Sequence, residues 1–201
     1  MAMFYEWLGR KKSAGSRLAV MDMWRPFPNG TMAHAPQAVI LFDKFHIMSQ
    51  LGKALDTVRK SEYARLSGRD RSFIKGQKYT LLSHRETMTF ESRQSLKTLL
   101  AANKHLNITY LLKEVFDQLW DYQSDAWARQ FFENWRASLK WQRLEPYEKF
   151  AKMIDRHWDR IAAYCKPENK VSLSFVEGLN NKIRVIQRSA YGLQNEENSG
   201  L

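Results

Sequence analysis

The sequence predicts an α/β fold that is mostly helical. Its two convincing strands, about Leu18–Met21 and Ala38–Phe42, are continuous apolar runs in the first quarter of the chain. A connection punctuated by proline and glycine joins them and leaves room for a short helix, and a helical crossover would make the strands parallel. From His46 onward, apolar residues recur every three to four positions, which is the period of amphipathic helices.

Composition sets the frame for this fold. The 201 residues suffice for one substantial core, or for one core plus an inserted subdomain. A hydrophobic content of 44% and a charged content of 26% are typical of a soluble globular protein. The sequence has no apolar run of about 18 residues and does not start like a secretory signal, so we expect a cytoplasmic protein. The single cysteine, Cys165, has no partner for a disulfide within the chain and is expected to be a core thiol.

The charge balance indicates the kind of partner. The formal net charge is +11 and the isoelectric point is about 9.8. Because lysine and arginine bind phosphates, such a balance favours a polyanion, nucleic acid before membrane. The signal is broad, since many basic proteins bind no nucleic acid specifically.

Acidic residues at strand ends are the most informative feature. Asp22 follows the first strand, Asp43 follows the second, and Glu177 lies far downstream in Phe175-Val-Glu177-Gly. A carboxylate is costly to bury unpaired, so an acid at the end of a buried strand lies at the open edge of the sheet or binds a cation. The alternative is that Asp22 and Asp43 are helix caps or turn formers.

The helical part divides into several segments. Ile47, Leu51, Leu55 and Val58 predict a helix, and Ser67–Ser72 predicts a charged loop after it; the pattern over Lys75–Ser83 is ambiguous. Four further helices are predicted, and the first two are either separate or one long helix. Aromatic stripes on these helices are best explained by core packing, with base stacking as the alternative. The apolar positions of the four helices are Leu96, Leu99, Leu106 and Tyr110; Leu112, Val115, Phe116, Leu119 and Trp120; Trp127, Phe131, Trp135 and Leu139; and Phe150, Met153, His157, Ile161 and Tyr164.

The last predicted helix carries a polar stripe beside its apolar one. Glu177, Asn181, Arg184 and Arg188 follow each other at spacings of four, three and four. Two interpretations are open. The stripe is either an ordinary exposed helix flank, or it places Glu177 at a metal and the arginines along a phosphate backbone.

Four segments together resemble a known family. They are Met-Asp22-Met-Trp24-Arg-Pro26, Phe42-Asp43-Lys-Phe-His46, Glu177-Gly-Leu-Asn180-Asn181-Lys-Ile183-Arg and Gln187-Arg188-Ser-Ala-Tyr191-Gly192. Their order and spacing resemble the DDE transposases of bacterial insertion sequences, in the ISL-three (ISL3) branch. The resemblance implies an RNase H-like domain with a large helical insertion after its last strand. Residues 1–50 would then be a partial RNase H-like core, 51–170 the insertion, 171–192 the final catalytic helix and 193–201 a polar tail.

The resemblance also implies a chemistry. In this family three carboxylates hold two divalent ions, usually Mg²⁺ with Mn²⁺ as a substitute, which activate water or a 3′ hydroxyl for attack on a phosphodiester. Asp22 matches the second acid and Glu177 the third, while Asp43 and His46 match a supporting Asp-x-x-His signature. The alternative that Asp43 is the metal acid stays open. Asn180 and Asn181 are candidates for orienting Glu177, and Lys182, Arg184 and Arg188 are candidates for contacting DNA phosphates.

The chain also departs from the family pattern. No segment matches the strand that carries the first acid, and no zinc-ribbon or helix-turn-helix region is recognisable. Our interpretation is a truncated transposase that is inactive alone. One alternative is a non-catalytic DNA-binding fragment that associates and interferes with a full-length transposase. Another is a small nuclease that recruits Asp56, which is disfavoured because Lys53, Arg59 and Lys60 make a surface ion pair the plainer explanation.

Overall fold

The computed structural model describes residues 2–83 and 87–169, which belong to one compact unit. It is predominantly helical, as predicted. The elements in chain order are α1 (Ala2–Leu8), α2 (Arg10–Ala14), β1 (Leu18–Met21), α3 (Pro26–His34), β2 (Val39–Phe42), α4 (Lys44–Arg65), α5 (Gly68–Ile74), α6 (Lys78–Leu82), α7 (Phe90–Ala102), α8 (Lys104–Asp117), α9 (Asp125–Leu139), α10 (Glu145–Arg156) and α11 (Trp158–Ala162), with 3₁₀ turns at Gln118–Asp121, Ala163–Cys165 and Pro167–Asn169.

The two strands form a parallel pair. Leu18 is in register with Val39 and Met21 with Phe42, and α3 makes the crossover between the strands. Both strands and their parallel direction are therefore confirmed. The second strand begins one residue later than predicted, because the amide of Ala38 donates to the carbonyl of Ala35 at 3.0 Å and closes a turn there.

Helix α4 is the central helix of the described part. The carboxylate of Asp43 accepts a hydrogen bond from the amide of Phe45 at 3.0 Å and so caps the first turn. The predicted apolar stripe, Ile47, Leu51, Leu55 and Val58, is fully buried. Helices α8 and α10 pack against α4, so it connects the strand region to the rest of the core.

Aromatic rings fill the core between the later helices. Trp135 lies with its ring centroid 4.9 Å from that of Phe116 and 6.0 Å from that of Phe150, and its indole donates to the carbonyl of Leu112 at 2.9 Å. The core-packing interpretation of the aromatic stripes is thus confirmed for these residues. It is wrong for Trp127, which is 69% exposed, because the first half of α9 buries Ala128 and Phe132 instead, while Trp135 is buried as predicted.

Several helix boundaries differ from the prediction. The segment predicted as a charged loop, Ser67–Ser72, contains most of α5, which starts at Gly68. The first of the four predicted helices, from Leu96 to Tyr110, is divided between α7 and α8, because the side chain of Asn103 accepts a hydrogen bond from the amide of Leu106 at 2.9 Å and starts a new helix. The boundary predicted before Leu112 lies inside α8. The last described helical stretch, predicted to be continuous, is interrupted at His157, between α10 and α11.

Three other predictions concern the rest of the chain. Cys165 is buried, as expected of a core thiol. None of the helices in the described ranges is long and apolar enough to cross a bilayer. The final helix predicted over 171–192 and the polar tail over 193–201 lie outside the described residues.

Candidate active site

The carboxyl edge of the sheet brings two of the predicted acids together. Asp22 follows β1 and Asp43 follows β2, and the preceding residues, Met21 and Phe42, are partners in the parallel register. The amide of Asp43 donates to the carbonyl of Met21 at 2.9 Å. Since the carboxyl ends of parallel strands meet at one edge, Asp22 and Asp43 occupy neighbouring positions there.

His46 contacts Asp22 at this edge. The Nδ1 atom of His46 lies 3.3 Å from Oδ1 of Asp22, and the side chains are 30% and 50% exposed. The Nε2 atom of the ring lies 3.2 Å from the side-chain amide nitrogen, Nε2, of Gln50, one turn along α4. If that amide donates, the ring proton is on Nδ1 and faces the carboxylate. His46 thus lies in the first turn of α4 with its ring toward Asp22, and its supporting role stays a prediction.

Asp43 has a different environment from Asp22. One of its carboxylate oxygens is engaged by the Phe45 amide in the cap of α4, so the helix-cap interpretation is confirmed for Asp43. Asp43 also affects Tyr164, which follows α11. Burial is the main cause that raises the pKa of Tyr164, and the negative charge of Asp43 raises it further. Asp22 is therefore the more accessible of the two strand-end carboxylates for a ligand from solvent.

Later helices supply cations around the same edge. Phe42, the last residue of β2, is covered edge-on by the ring of His157 at 5.2 Å and by the guanidinium of Arg160 at 5.4 Å. Burial, and then the charges of Arg160, Arg156 and Arg25, lower the pKa of His157. These groups come from α10, α11 and the start of α3, so three elements contribute positive charge near the strand ends.

Sequence reasoning missed this cationic group. It assigned His157 to an apolar helix stripe, but the residue ends α10 and is half-buried against Phe42. The spacing of four between Arg156 and Arg160 was visible in the sequence. Nothing in the local pattern indicated that the helix breaks between them and folds back on the strand end.

The side chains at this edge of the sheet supply only part of the ligand set that a hard cation such as Mg²⁺ requires. Mg²⁺ is commonly bound by one or two carboxylates together with water and substrate phosphates, and Asp22 and Asp43 supply carboxylates. Within residues 2–83 and 87–169, however, no three acidic, histidine or cysteine side chains are grouped closely enough to hold a metal. Glu177, Asn180, Asn181, Lys182, Arg184 and Arg188 lie outside the described residues, so their predicted roles stay predictions.

Asp56 forms ion pairs within α4 and is not near the strand-end acids in sequence. Its Oδ1 lies 2.7 Å from Nε of Arg59 and its Oδ2 lies 3.0 Å from Nζ of Lys60. Burial alone would raise the pKa of Asp56, but the hydrogen bonds and charges of Arg59 and Lys60 outweigh it and lower that pKa. The predicted ion pairing is confirmed, although Asp56 itself is buried, with only 6% of the residue exposed.

Comparison with known families decides the relationship of the chain. The family model DDE_Tnp_ISL3, described as "Transposase", matches residues 1–199. The chain belongs to the ISL3 family of DDE transposases. The resemblance carried by the strand-end acids and the Glu177 segment is thereby confirmed at the level of the family.

Two curated transposases show how much of a relative's length this chain matches. The transposase for insertion sequence element IS1001 of Bordetella parapertussis is 32% identical over 197 residues, covering 96% of this chain and 48% of the relative. The transposase for IS1557 of Mycobacterium tuberculosis is 22% identical over 220 residues, covering 98% and 49%. The ISL3 chain thus spans about half the length of these relatives. No solved structure matches it, so the RNase H-like assignment stays a prediction.

Proposed function

We propose that this chain forms part of the catalytic domain of a transposase that cleaves and transfers DNA strands at insertion-sequence ends. The observation that carries the proposal is the contact between Asp22 and His46 at the carboxyl edge of the sheet, in a chain of the ISL3 family. The fold is then a partial RNase H-like core, residues 1–50, followed by a helical insertion, residues 51–170. The final helix, 171–192, would deliver Glu177.

Each residue at the edge has a role in this proposal. Asp22 and Glu177 are the metal carboxylates, and two bound divalent ions would supply activation of the attacking oxygen and stabilisation of the leaving oxygen. His46 holds Asp22 in orientation through the 3.3 Å contact. Asp43 supports the site by fixing the first turn of α4, on which His46 lies. Asn180 and Asn181 orient Glu177 in the same proposal.

The cations near the edge suit a polyanionic substrate. Burial first, and then the charges of Arg160, Arg156 and Arg25, lower the pKa of His157, so positive charge is gathered near this edge. A DNA phosphate placed there would be attracted by this charge. Lys182, Arg184 and Arg188 would extend these contacts along the DNA.

Metal binding by Asp22 can be tested on the purified chain. We expect Mn²⁺ added in small amounts to broaden the ring signals of His46 in NMR spectra, because the ring lies beside the proposed ligand. The ring of His105 is the internal reference. It contacts Glu62, which is about 24 Å along α4 from His46 at about 1.5 Å per residue.

Two variants separate the two candidate acids. Asp22→Asn is expected to weaken the Mn²⁺ effect on His46 by about tenfold or more, since a neutral amide is a poor ligand for this ion. Asp43→Asn is expected to leave it nearly unchanged, because asparagine also caps helices. If Asp43→Asn removes the broadening and Asp22→Asn does not, the assignment of Asp22 as the metal acid is wrong.

We further propose that the 201-residue chain is inactive alone. By the family pattern it contributes the second and third acids, and two of three carboxylates make an incomplete clamp for two metal ions. The expected result is no Mg²⁺- or Mn²⁺-dependent cleavage or transfer of labelled DNA above a no-protein blank. Robust cleavage that is lost in Asp22→Ala and Glu177→Ala variants would overturn this prediction and favour a complete small nuclease.

A non-catalytic role is the second candidate. The net charge of +11 favours binding to DNA without any chemistry. Such a chain would associate with a full-length transposase and reduce its activity. Dose-dependent inhibition of transposition by both the parent chain and its Asp22→Asn variant is the result that distinguishes interference from catalysis.

A further inference from the structure

A groove lined by lysines lies along α4, separate from the strand-end acids. Its volume is about 490 Å³. Lys53 and Lys60 of α4, Lys78 of α6 and Lys113 of α8 line it, and Asp56 is the one acid among the described lining residues. We call this feature the lysine groove.

The cations of the lysine groove are only partly neutralised. Lys60 is paired with Asp56 at 3.0 Å, and Lys113 lies 2.8 Å from Glu114 and donates to the carbonyl of Ser83. Lys53 and Lys78 have no ion pair with any carboxylate in the described part of the chain. Positive charges gathered around one concave surface attract an anion that bridges them.

Close helix packing builds the groove. A Cβ atom added at Gly52 would lie 3.1 Å from Cδ2 of Leu82, so the absence of a side chain lets α6 approach α4. Both residues line the groove. This approach brings Lys78 to the same concave surface as Lys53 and Lys60 of α4.

The groove also has an apolar end beside the candidate active site. Phe45 lines it and is 43% exposed. It immediately precedes His46, which contacts Asp22. An exposed aromatic ring next to a row of cations is the combination that binds single-stranded nucleic acid, through base stacking and phosphate contacts.

We infer that the lysine groove binds a single DNA strand, with phosphates on Lys53, Lys60 and Lys78 and a base against Phe45. The volume suits nucleotide-sized groups rather than a duplex. The groove follows α4 from Phe45 to Lys60, which is about 22 Å at about 1.5 Å per residue. It would hold the strand that leads away from the candidate active site. The choice of DNA as the anion rests on the proposed function.

The test is fluorescence anisotropy with a labelled single-stranded oligonucleotide of mixed sequence and its duplex, in EDTA, at low and moderate salt. The double variant Lys53→Glu and Lys78→Glu is expected to lower the affinity for the single strand about tenfold or more and to flatten its salt dependence. Phe45→Ala is expected to weaken single-strand binding about fivefold or more, and duplex binding less. Equal unfolding midpoints check that the variants fold.

The matched control is Lys11→Glu with Lys152→Glu. Both lysines are exposed, lie on α2 and α10 away from the groove lining, and change the net charge by the same amount. If this control weakens binding as much as the groove variant, the groove is not a specific site. If the acidic substitutions unfold the chain, Lys53→Gln with Lys78→Gln replaces them, and unchanged affinity in that variant would also overturn the inference.

Two further results bear on the ligand. Competition by an acidic peptide as effective as competition by DNA, together with no effect of Phe45→Ala, would reject nucleic acid as the ligand. Because the assay contains no metal, its outcome is independent of Mn²⁺ binding at Asp22. Failure of the groove inference and failure of the proposed catalytic role are therefore distinguishable.

Discussion

Trp135→Ala is expected to lower the free energy of unfolding by about 3–5 kcal/mol, as large aromatic truncations in cores do. Trp135 is 3% exposed and contacts the rings of Phe116, Phe132, Tyr147 and Phe150. These rings come from α8, α9 and α10, so the cavity would open where three helices meet and could not be closed by moving one side chain. Urea denaturation followed by circular dichroism measures the loss.

The control is Trp141→Ala, which removes the same side chain from an exposed position. Trp141 is 81% exposed, so we expect a change within about 0.5 kcal/mol. The alternative role of the aromatic residues, base stacking, predicts the opposite pattern: a loss of DNA affinity with little loss of stability in Trp135→Ala. That result would contradict the core assignment.

The sequence predicted the strands and the central helix well, because each rests on local signals. The apolar runs ending at Asp22 and Asp43 fix both strand ends, and the buried stripe from Ile47 to Val58 fixes the face of α4. The boundaries of later helices were less predictable. Asn103 and His157 interrupt otherwise continuous helical patterns, and whether a single polar residue caps a helix or lies on its surface depends on tertiary packing.

The same contrast holds for the candidate active site. The contact between His46 and Asp22 followed from a spacing within one strand–helix unit. Arg156 and Arg160 flank His157 in the sequence, but Arg25 lies far upstream and affects His157 only because the chain after α10 returns to β2. A long-range juxtaposition of this kind leaves no periodic signal, so neither composition nor spacing identifies it.

The buried carboxylate of Glu62 links α4 to the helices that follow it. Glu62 accepts hydrogen bonds from Asn103 at 3.0 Å and from Arg65 at 3.2 Å, and lies 2.9 Å from Nδ1 of His105. Asn103 is also the cap of α8. The Nε2 atom of His105 lies 3.5 Å from the carbonyl of Gln142, beyond α9. Glu62 therefore anchors the junction between α7 and α8, at 7% exposure.

Glu62→Gln is expected to lower the free energy of unfolding at pH 7 by about 1.5–3 kcal/mol, the range for hydrogen bonds to a charged group. An amide keeps the shape of the side chain but presents an N–H pair where the carboxylate accepts hydrogen bonds. Glu145→Gln is the matched control, because Glu145 is exposed and, within the described part of the chain, is paired only with Lys149, one turn away. We expect little or no change in that variant.

The effect of Glu62 should depend on pH in a defined direction. Burial alone would raise the pKa of Glu62, but the hydrogen bonds of His105 and Asn103 and the charges of His105 and Arg65 outweigh it and lower that pKa below its ordinary value of 4.5. A carboxyl group with a lowered pKa in the folded state stabilises the fold above its unfolded-state pKa, and that stability is lost as the pH falls through the folded-state pKa. The parent chain and Glu62→Gln should therefore differ most at neutral pH and converge at acidic pH, which denaturation midpoints at a series of pH values would show. Parallel curves for the two proteins would mean that the ionised Glu62 does not stabilise this junction.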